Sequence, residues 1–344
     1  MVALTGVVLG VVAASADPTK RASGSADLSA AVAIPVLPGS GGVTQRQIPD
    51  LLVIPPGSDM TQGKTAEQIS AKAQRVVTLR DRAEAKALAE AKPTVFRVGS
   101  LNVLGASHSD GGNKSRYADG ATRVRSAAAK IRGLGISVIG LQEYEPKQHF
   151  AFVNATGWGV FPGMSMGTRG VRNSIAWNPA VWTLVESHTG TTPYFRGNQV
   201  PLPYVLLENK ATGGKAWFIS VHNPISSGKR GQNQKWRSIA TAKQAALMTS
   251  LRAQSGYPVF LTGDFNERGE AFCRVTAGGR AIAANGGTSS PCRLPGTNGI
   301  DWIFASPSGV SFTGYVRDNS TIGRISDHPL IYATATLAPQ PKTD

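Results

Sequence analysis

The stretch Val259-Phe260-Leu261-Thr262-Gly263-Asp264-Phe265-Asn266 is an apolar run of strand character that stops on an acid and an amide. Alternate side chains of an extended segment point to one side, so Asp264 and Asn266 can face a common ligand. Five other runs stop in the same way: Leu101-Asn102-Val103, Leu141-Gln142-Glu143, Val221-His222-Asn223-Pro224, Gly299-Ile300-Asp301-Trp302 and Ser326-Asp327-His328-Pro329. Each places a polar or ionisable residue where a strand would meet the rim of a sheet. A rim holds side chains rigidly, and several rims converging make a site.

Working outward, strand-like runs at 95–103 and 136–141 enclose a helical stretch at 121–134, with Val124, Ala127, Ala128, Ile131 and Leu134 on one face. Segments 173–177, 182–185, 204–207 and 217–221 follow without a helical pattern between them, which predicts antiparallel neighbours. A helix is expected over 232–253, and strands over 259–262, 300–304 and 330–336. This alternation predicts two mixed sheets packed face to face with helices outside.

The 344 residues carry 36 Lys+Arg against 21 Asp+Glu, a net charge of +15. That balance favours a polyanionic partner such as nucleic acid or anionic lipid headgroups. Residues 93–344 hold 26 of the bases and only 13 of the acids, and four of those acids, with two of the five histidines, sit in the strand-end motifs. No run reaches the roughly 18 apolar residues of a membrane span, so stable membrane insertion is not expected. Two cysteines exclude a Cys-based zinc cluster and allow at most one bridge, Cys273 to Cys292.

The chain before Pro93 reads differently. Residues 1–16 form a short apolar run ending in Ala14-Ser15-Ala16, the small-residue pattern of a signal-peptidase site, which predicts export. No Lys or Arg precedes that core, as a start upstream of Met1 would produce. Residues 17–64 are rich in Pro, Gly and Ser and read as a linker. Residues 65–92 read as a polar helix, a solvated spacer with Ile69, Val76, Leu79 and Leu88 too sparse for sustained heptads. The domain then runs over 93–338, leaving a tail at 339–344.

The six motifs, in this order, resemble the endonuclease/exonuclease/phosphatase superfamily, the DNase I-like and exonuclease III-like metal-dependent phosphodiesterases. The resemblance implies a four-layer α/β sandwich, which agrees with the pattern above. It implies that Glu143 ligates Mg²⁺, or Mn²⁺ or Ca²⁺, with Asn102 beside it and Asp327 nearby; a hard oxygen site suits such an ion. Asp264 and Asn266 match the pair that positions water and a phosphoryl oxygen. Asp301 and His328 match a carboxylate-imidazole pair, and His222 matches the second histidine of the DNase I-like branches. The carboxylate that orients that second histidine in DNase I-like enzymes has no evident match; Glu145 and Glu186 are candidates. His108, His149 and His188 lie outside the motifs and read as packed or exposed.

Basic residues flank the motif rim: Lys114 and Arg116, Arg169 and Arg172, and Lys229, Arg230 and Lys235. They predict a track for a phosphate backbone. The six tryptophans read as core. Phosphoinositide phosphatases of the superfamily carry a different segment around the fifth motif, and Glu267-Arg268 follows Asn266 here, which disfavours that branch. An extracellular nuclease is the leading expectation, acting as a monomer with no protein partner in evidence. A secreted sphingomyelinase-like or small-molecule phosphodiesterase is the alternative, and an inactive nucleic-acid-binding protein a third.

Overall fold

The structure is a computed structural model that describes residues 66–297 and 299–340. The expected leader at 1–16, the linker at 17–64 and the end of the tail lie outside the described residues. Along the chain run α1 (Ala66–Glu90), β1 (Thr94–Asn102), the short α2 (Ala106–Ser109), α3 (Gly120–Gly133), β2 (Ile136–Gln142), α4 (Pro146–Thr156), β3 (Gly159–Phe161) and the short α5 (Gly167–Gly170). Next come β4 (Asn173–Trp177), β5 (Trp182–Pro193), β6 (Gln199–Asn209), β7 (Lys215–His222), α6 (Gln234–Ser255), β8 (Val259–Asp264) and α7 (Gly269–Thr276). The chain ends through β9 (Ile282–Ala283), β10 (Thr288–Ser289), β11 (Cys292–Arg293), β12 (Asp301–Ala305), β13 (Val310–Asp318) and β14 (Leu330–Leu337).

Two six-stranded mixed sheets form, in the orders β13-β14-β1-β2-β4-β3 and β5-β6-β7-β8-β12-β9. One apolar layer lies between them, built on Phe96, Trp182, Phe218, Phe260 and Ile303. A second joins β1 and β2 to α3 and α4 through Leu101, Val124, Ile131, Ile139 and Phe152. A third joins β7, β8 and β12 to α6 and α7 through Ile219, Leu261, Met248, Phe272 and Phe304. Three apolar layers between four layers of structure make the expected sandwich.

The pairing of the middle segments differs from the sequence expectation. β5, β6 and β7 pair antiparallel, but β4 pairs with β2 and β3 in the other sheet. The chain crosses between sheets from Trp177 to Trp182, whose indole is buried and donates to Ser137 Oγ at 3.0 Å. The short apolar runs of β4 and β5 look alike in sequence, and only packing separates them. Helix α4, strand β13 and the β10–β11 hairpin were also not expected. Helix α1 is exposed along its described length except at half-buried Ala87, as a solvated helix should be. Trp236 is only half-buried, unlike the other five tryptophans. The Cys273–Cys292 disulfide is formed and ties α7 to β11.

Near the site the sheets approach closely. A Cβ on Gly140 would lie 2.3 Å from Thr262 Oγ1, so β2 needs glycine there. The seam beside it is polar: Gln142 Nε2 donates to Ser220 Oγ at 3.1 Å, and Asn173 Nδ2 donates to the Ser220 carbonyl at 2.7 Å. Buried polar groups must be paired, and these bonds set how the two rims meet.

Candidate active site

Strand register assembles the centre. β7 and β8 run parallel with His222 opposite Asp264, and β12 runs antiparallel to β8 with Asp301 opposite the same Asp264. In the other sheet Asn102 pairs with Gln142, which leaves Glu143 one residue past the ladder at φ 52°. Asn266 also takes a positive φ, 51°. A left-handed conformation at a non-glycine residue is uncommon and turns the side chain out of the strand path.

Asp264 is buried, and its Oδ2 accepts from Asn102 Nδ2 at 3.2 Å. The same oxygen lies 3.5 Å from His222 Nε2 and 3.6 Å from His328 Nε2. Its Oδ1 accepts from the Asn266 backbone at 2.9 Å, and Asn266 Nδ2 donates to the Asn223 carbonyl at 2.8 Å. Burial raises the Asp264 carboxyl against the opposing pull of His328 and His222. Behind His328, Nδ1 lies 3.0 and 3.1 Å from the two Asp301 oxygens. Burial opposes the charged ring, yet Asp301 and Asp264 outweigh it and push His328 up to about 10.

Asn102 Nδ2 also donates to Glu143 Oε1 at 3.1 Å, so one amide links the two carboxylates. Glu143 Oε2 accepts from the Gly105 backbone at 3.1 Å and lies 3.3 Å from His108 Nε2. Burial works against its charge, but His108, His222, Asn102 and the Gly105 N–H together hold Glu143 below the usual carboxylate range. Asp327 is paired with Lys114. Ser326 Oγ donates to the Asn102 carbonyl at 2.6 Å and ties the sixth motif to the first.

The eight residues named for catalysis or metal therefore gather at the rim: six line one cleft, and Asn102 and Asp301 bond to residues that do. A cleft of about 1110 Å³ opens there and reaches Lys114, Arg169, Arg172 and Arg230 on its walls. Arg116, Lys229 and Lys235 are not among its lining residues; Arg116 sits over the Tyr117 ring at 5.3 Å and Lys235 over Trp236 at 5.2 Å. Neither candidate carboxylate supports His222. Glu145 binds Arg172 at 2.8 Å and the Ser107 backbone at 2.8 Å, and Glu186 pairs with His188 on the exposed face of β5. The neighbour of His222 Nδ1 is Tyr194 Oη, at 3.5 Å.

Three residues escaped the sequence reading. His108 joins Glu143 from the short helix α2 with no motif around it; its place six residues after Asn102 was the one available signal. Arg123 is fully buried and donates to the carbonyls of Ala118, Val103, Leu104 and Ile325, clamping the loop after β1 to the segment before β14. Tyr194 lies at a hairpin tip that nothing local marks.

The donor set suits a hard divalent cation, because Glu143, Asp264 and Asp327 bring anionic oxygens to one rim, with His108 against Glu143, Lys114 against Asp327, and His222 and His328 against Asp264. Asp264, Asp301 and His328 also bring ligand atoms within 4.8 Å of one another. In that trio, however, His328 Nδ1 is already engaged by Asp301, which suits a hydrogen-bonded pair better than a metal site.

The sequence profile of the endonuclease/exonuclease/phosphatase family matches residues 99–328. Solved structures agree at the level of fold. A Bacteroides thetaiotaomicron protein of that family superposes with a TM-score of 0.56 at 18% identity, covering 72% of this chain and 97% of that one. A mannosyl-6-phosphatase from Bacteroides thetaiotaomicron VPI-5482 gives 0.54 at 18%, covering 70% and 99%. The human Nocturnin catalytic domain, bound to a sulfate anion, gives 0.53 at 13%, covering 73% and 99%. No curated protein sequence matches the chain.

Proposed function

The chain belongs to the endonuclease/exonuclease/phosphatase family, and on that premise we propose that it is a secreted, divalent-metal-dependent phosphodiester hydrolase whose substrate is nucleic acid. The family acts on phosphoester bonds and is typically metal-dependent. The observation that carries the finer reading is the cleft itself, which Lys114, Arg169, Arg172 and Arg230 line together with Asp264. A phosphate chain laid along such a wall would be held by charge on either side of the bond that is cut. The disulfide and the apolar run at 1–16 support export to an oxidising compartment.

Glu143 would hold the cation, with Asp327 beside it and Asn102 fixing the Glu143 carboxylate through Nδ2. When bound, Mg²⁺ supplies positive charge against the phosphoryl and leaving oxygens. The chain's own groups do the rest. Asp264, raised by burial, orients the attacking water and takes its proton at Oδ2, while the Asn266 amide holds a phosphoryl oxygen. His328, kept charged by Asp301, presents Nε2–H to the negative charge that grows on phosphorus-bound oxygen. One P–O bond forms to water oxygen as the other breaks, and the leaving oxygen takes the Nε2 proton of His328, which is restored by the proton on Asp264 Oδ2, 3.6 Å away.

Exposed Ile225 on the cleft wall favours a second reading, a lipid or other phosphodiester with an apolar leaving group. An activity screen with Mg²⁺ against plasmid DNA, RNA, sphingomyelin and a small phosphodiester separates the two. Cleavage of nucleic acid whose binding falls by about 0.9 log units per phosphate contact per decade of salt supports the first, with a shallower slope in Arg169→Ala/Arg230→Ala. Hydrolysis of sphingomyelin alone would replace it.

A further inference from the structure

We propose that Tyr194 is the positioning residue of His222, occupying the place of an orienting carboxylate and fixing the ring's proton on Nε2. The inference rests on the reading of this cleft as a phosphoester site, and it adds a residue and a proton position to it.

The geometry at both ends of the ring agrees. On one side Tyr194 Oη lies 3.5 Å from Nδ1, and the two rings meet edge to face at 5.5 Å. On the other side Nε2 lies 3.5 Å from Asp264 Oδ2. A carboxylate oxygen only accepts, so a hydrogen on Nε2 suits this approach, and the phenol on the other side of the ring decides between the tautomers. The phenol then donates to the lone pair on Nδ1, which is its one hydrogen-bond partner among the described residues. Burial, with Glu143 and Asp264 adding to it, pushes the phenol above the usual tyrosine range, so the O–H stays intact to donate. A carboxylate in the same place would do the opposite. It would accept from Nδ1–H and leave Nε2 as the basic nitrogen.

The tip that carries Tyr194 is held from several directions, as a positioning element must be. Tyr194 N donates to the Asn198 carbonyl at 2.8 Å and closes the turn between β5 and β6. Asn233, at the start of α6, accepts from Arg196 N at 3.2 Å and donates to the carbonyls of Ile225 and Arg230. Arg196 adopts φ 56°, and a Cβ on Gly197 would meet Trp236 at 2.7 Å. The neighbouring Phe195 ring carries the Arg230 guanidinium at 4.9 Å. One tip thus orients an imidazole with its first residue and braces a cleft arginine with its second.

The test is the ¹⁵N spectrum of the His222 ring in the full chain, recorded at the pH where titration of the spectrum shows the ring neutral and assigned by difference from His222→Asn. We expect Nε2 to be protonated and Nδ1 to accept in the native protein. Tyr194→Phe, which keeps the ring contacts, should mix the tautomers and lower kcat on a small phosphodiester about tenfold with KM changed less than twofold. Tyr194→Glu should move the proton to Nδ1. Protonation of Nδ1 in the native protein, or a spectrum unchanged in Tyr194→Phe, would overturn the assignment. The spectrum needs no substrate, so a protein that hydrolyses no phosphoester yet shows Nε2–H would overturn the function and leave the tautomer standing.

Discussion

Two imidazoles face the same oxygen, Asp264 Oδ2, and they are backed by different chemistry. His328 has the Asp301 carboxylate behind it at 3.0 Å, and His222 has the Tyr194 phenol behind it at 3.5 Å. The first support is a charge brought by strand register, since β12 places Asp301 opposite Asp264. The second is a neutral group brought by a hairpin tip from outside the ladder. A ladder can supply a charged partner only where the adjacent strand has an acid at the right step. Where it has none, a loop must reach in, and a neutral partner then orients a ring without adding charge to it.

The comparison is broken or sharpened by experiment, and the largest effect should fall on the charged side. Asp301→Asn removes the charge that holds His328 protonated while keeping its shape, and kcat should fall about a thousandfold or more. A loss no greater than that of Tyr194→Phe would make the two supports equivalent. Glu143→Gln lies outside both pairs and should cost about a hundredfold by weakening the cation site, with the same fold by circular dichroism. Full activity of the native enzyme in excess chelator would remove the metal from the account.

The pH dependence of stability gives a smaller, signed effect. His328 is raised from 6.5 to about 10 in the folded chain. Its contribution is therefore complete below pH 6.5 and is lost as pH rises through about 10. In chelator-treated protein the denaturation midpoint should decline across that window, and Asp301→Asn should flatten the decline. A midpoint that rises instead would reverse the assignment of charge. The smallest effect is expected at α1, which carries no motif residue and is exposed along its described length except at half-buried Ala87. A chain beginning near Lys92 should turn over substrate within about twofold of the full chain, since solvated surface contributes little. Loss of turnover with secondary structure intact would make the helix part of the catalytic domain.

The motif ends were legible because each is local. A strand that stops on Asp264 or starts on Asp301 announces both the strand and the rim residue, and six such strand ends in order, with the alternation between them, suffice for the fold class. Basic residues were less legible, because flanking a motif in sequence does not place a side chain in the cleft. Arg230 lines it through its contact with Phe195, whereas neighbouring Lys229 does not line it. Arg123 sits on α3 with no motif around it. Its burial depends on the carbonyls of segments some twenty and two hundred residues away.

By itself, then, the sequence determined most of the elements and the two-sheet sandwich, which follow from short-range alternation, and its six motifs named the eight rim residues through their resemblance to a family; α4, β13 and the β10–β11 hairpin it did not show. Tertiary structure alone decided the sheet to which β4 belongs, the cations set against Glu143 and Asp327, and the partner of His222. Each of these is a contact between segments far apart in the chain. Side-chain periodicity specifies which face a residue takes but not which distant residue it will meet; that is settled only when two sheets close over a common core.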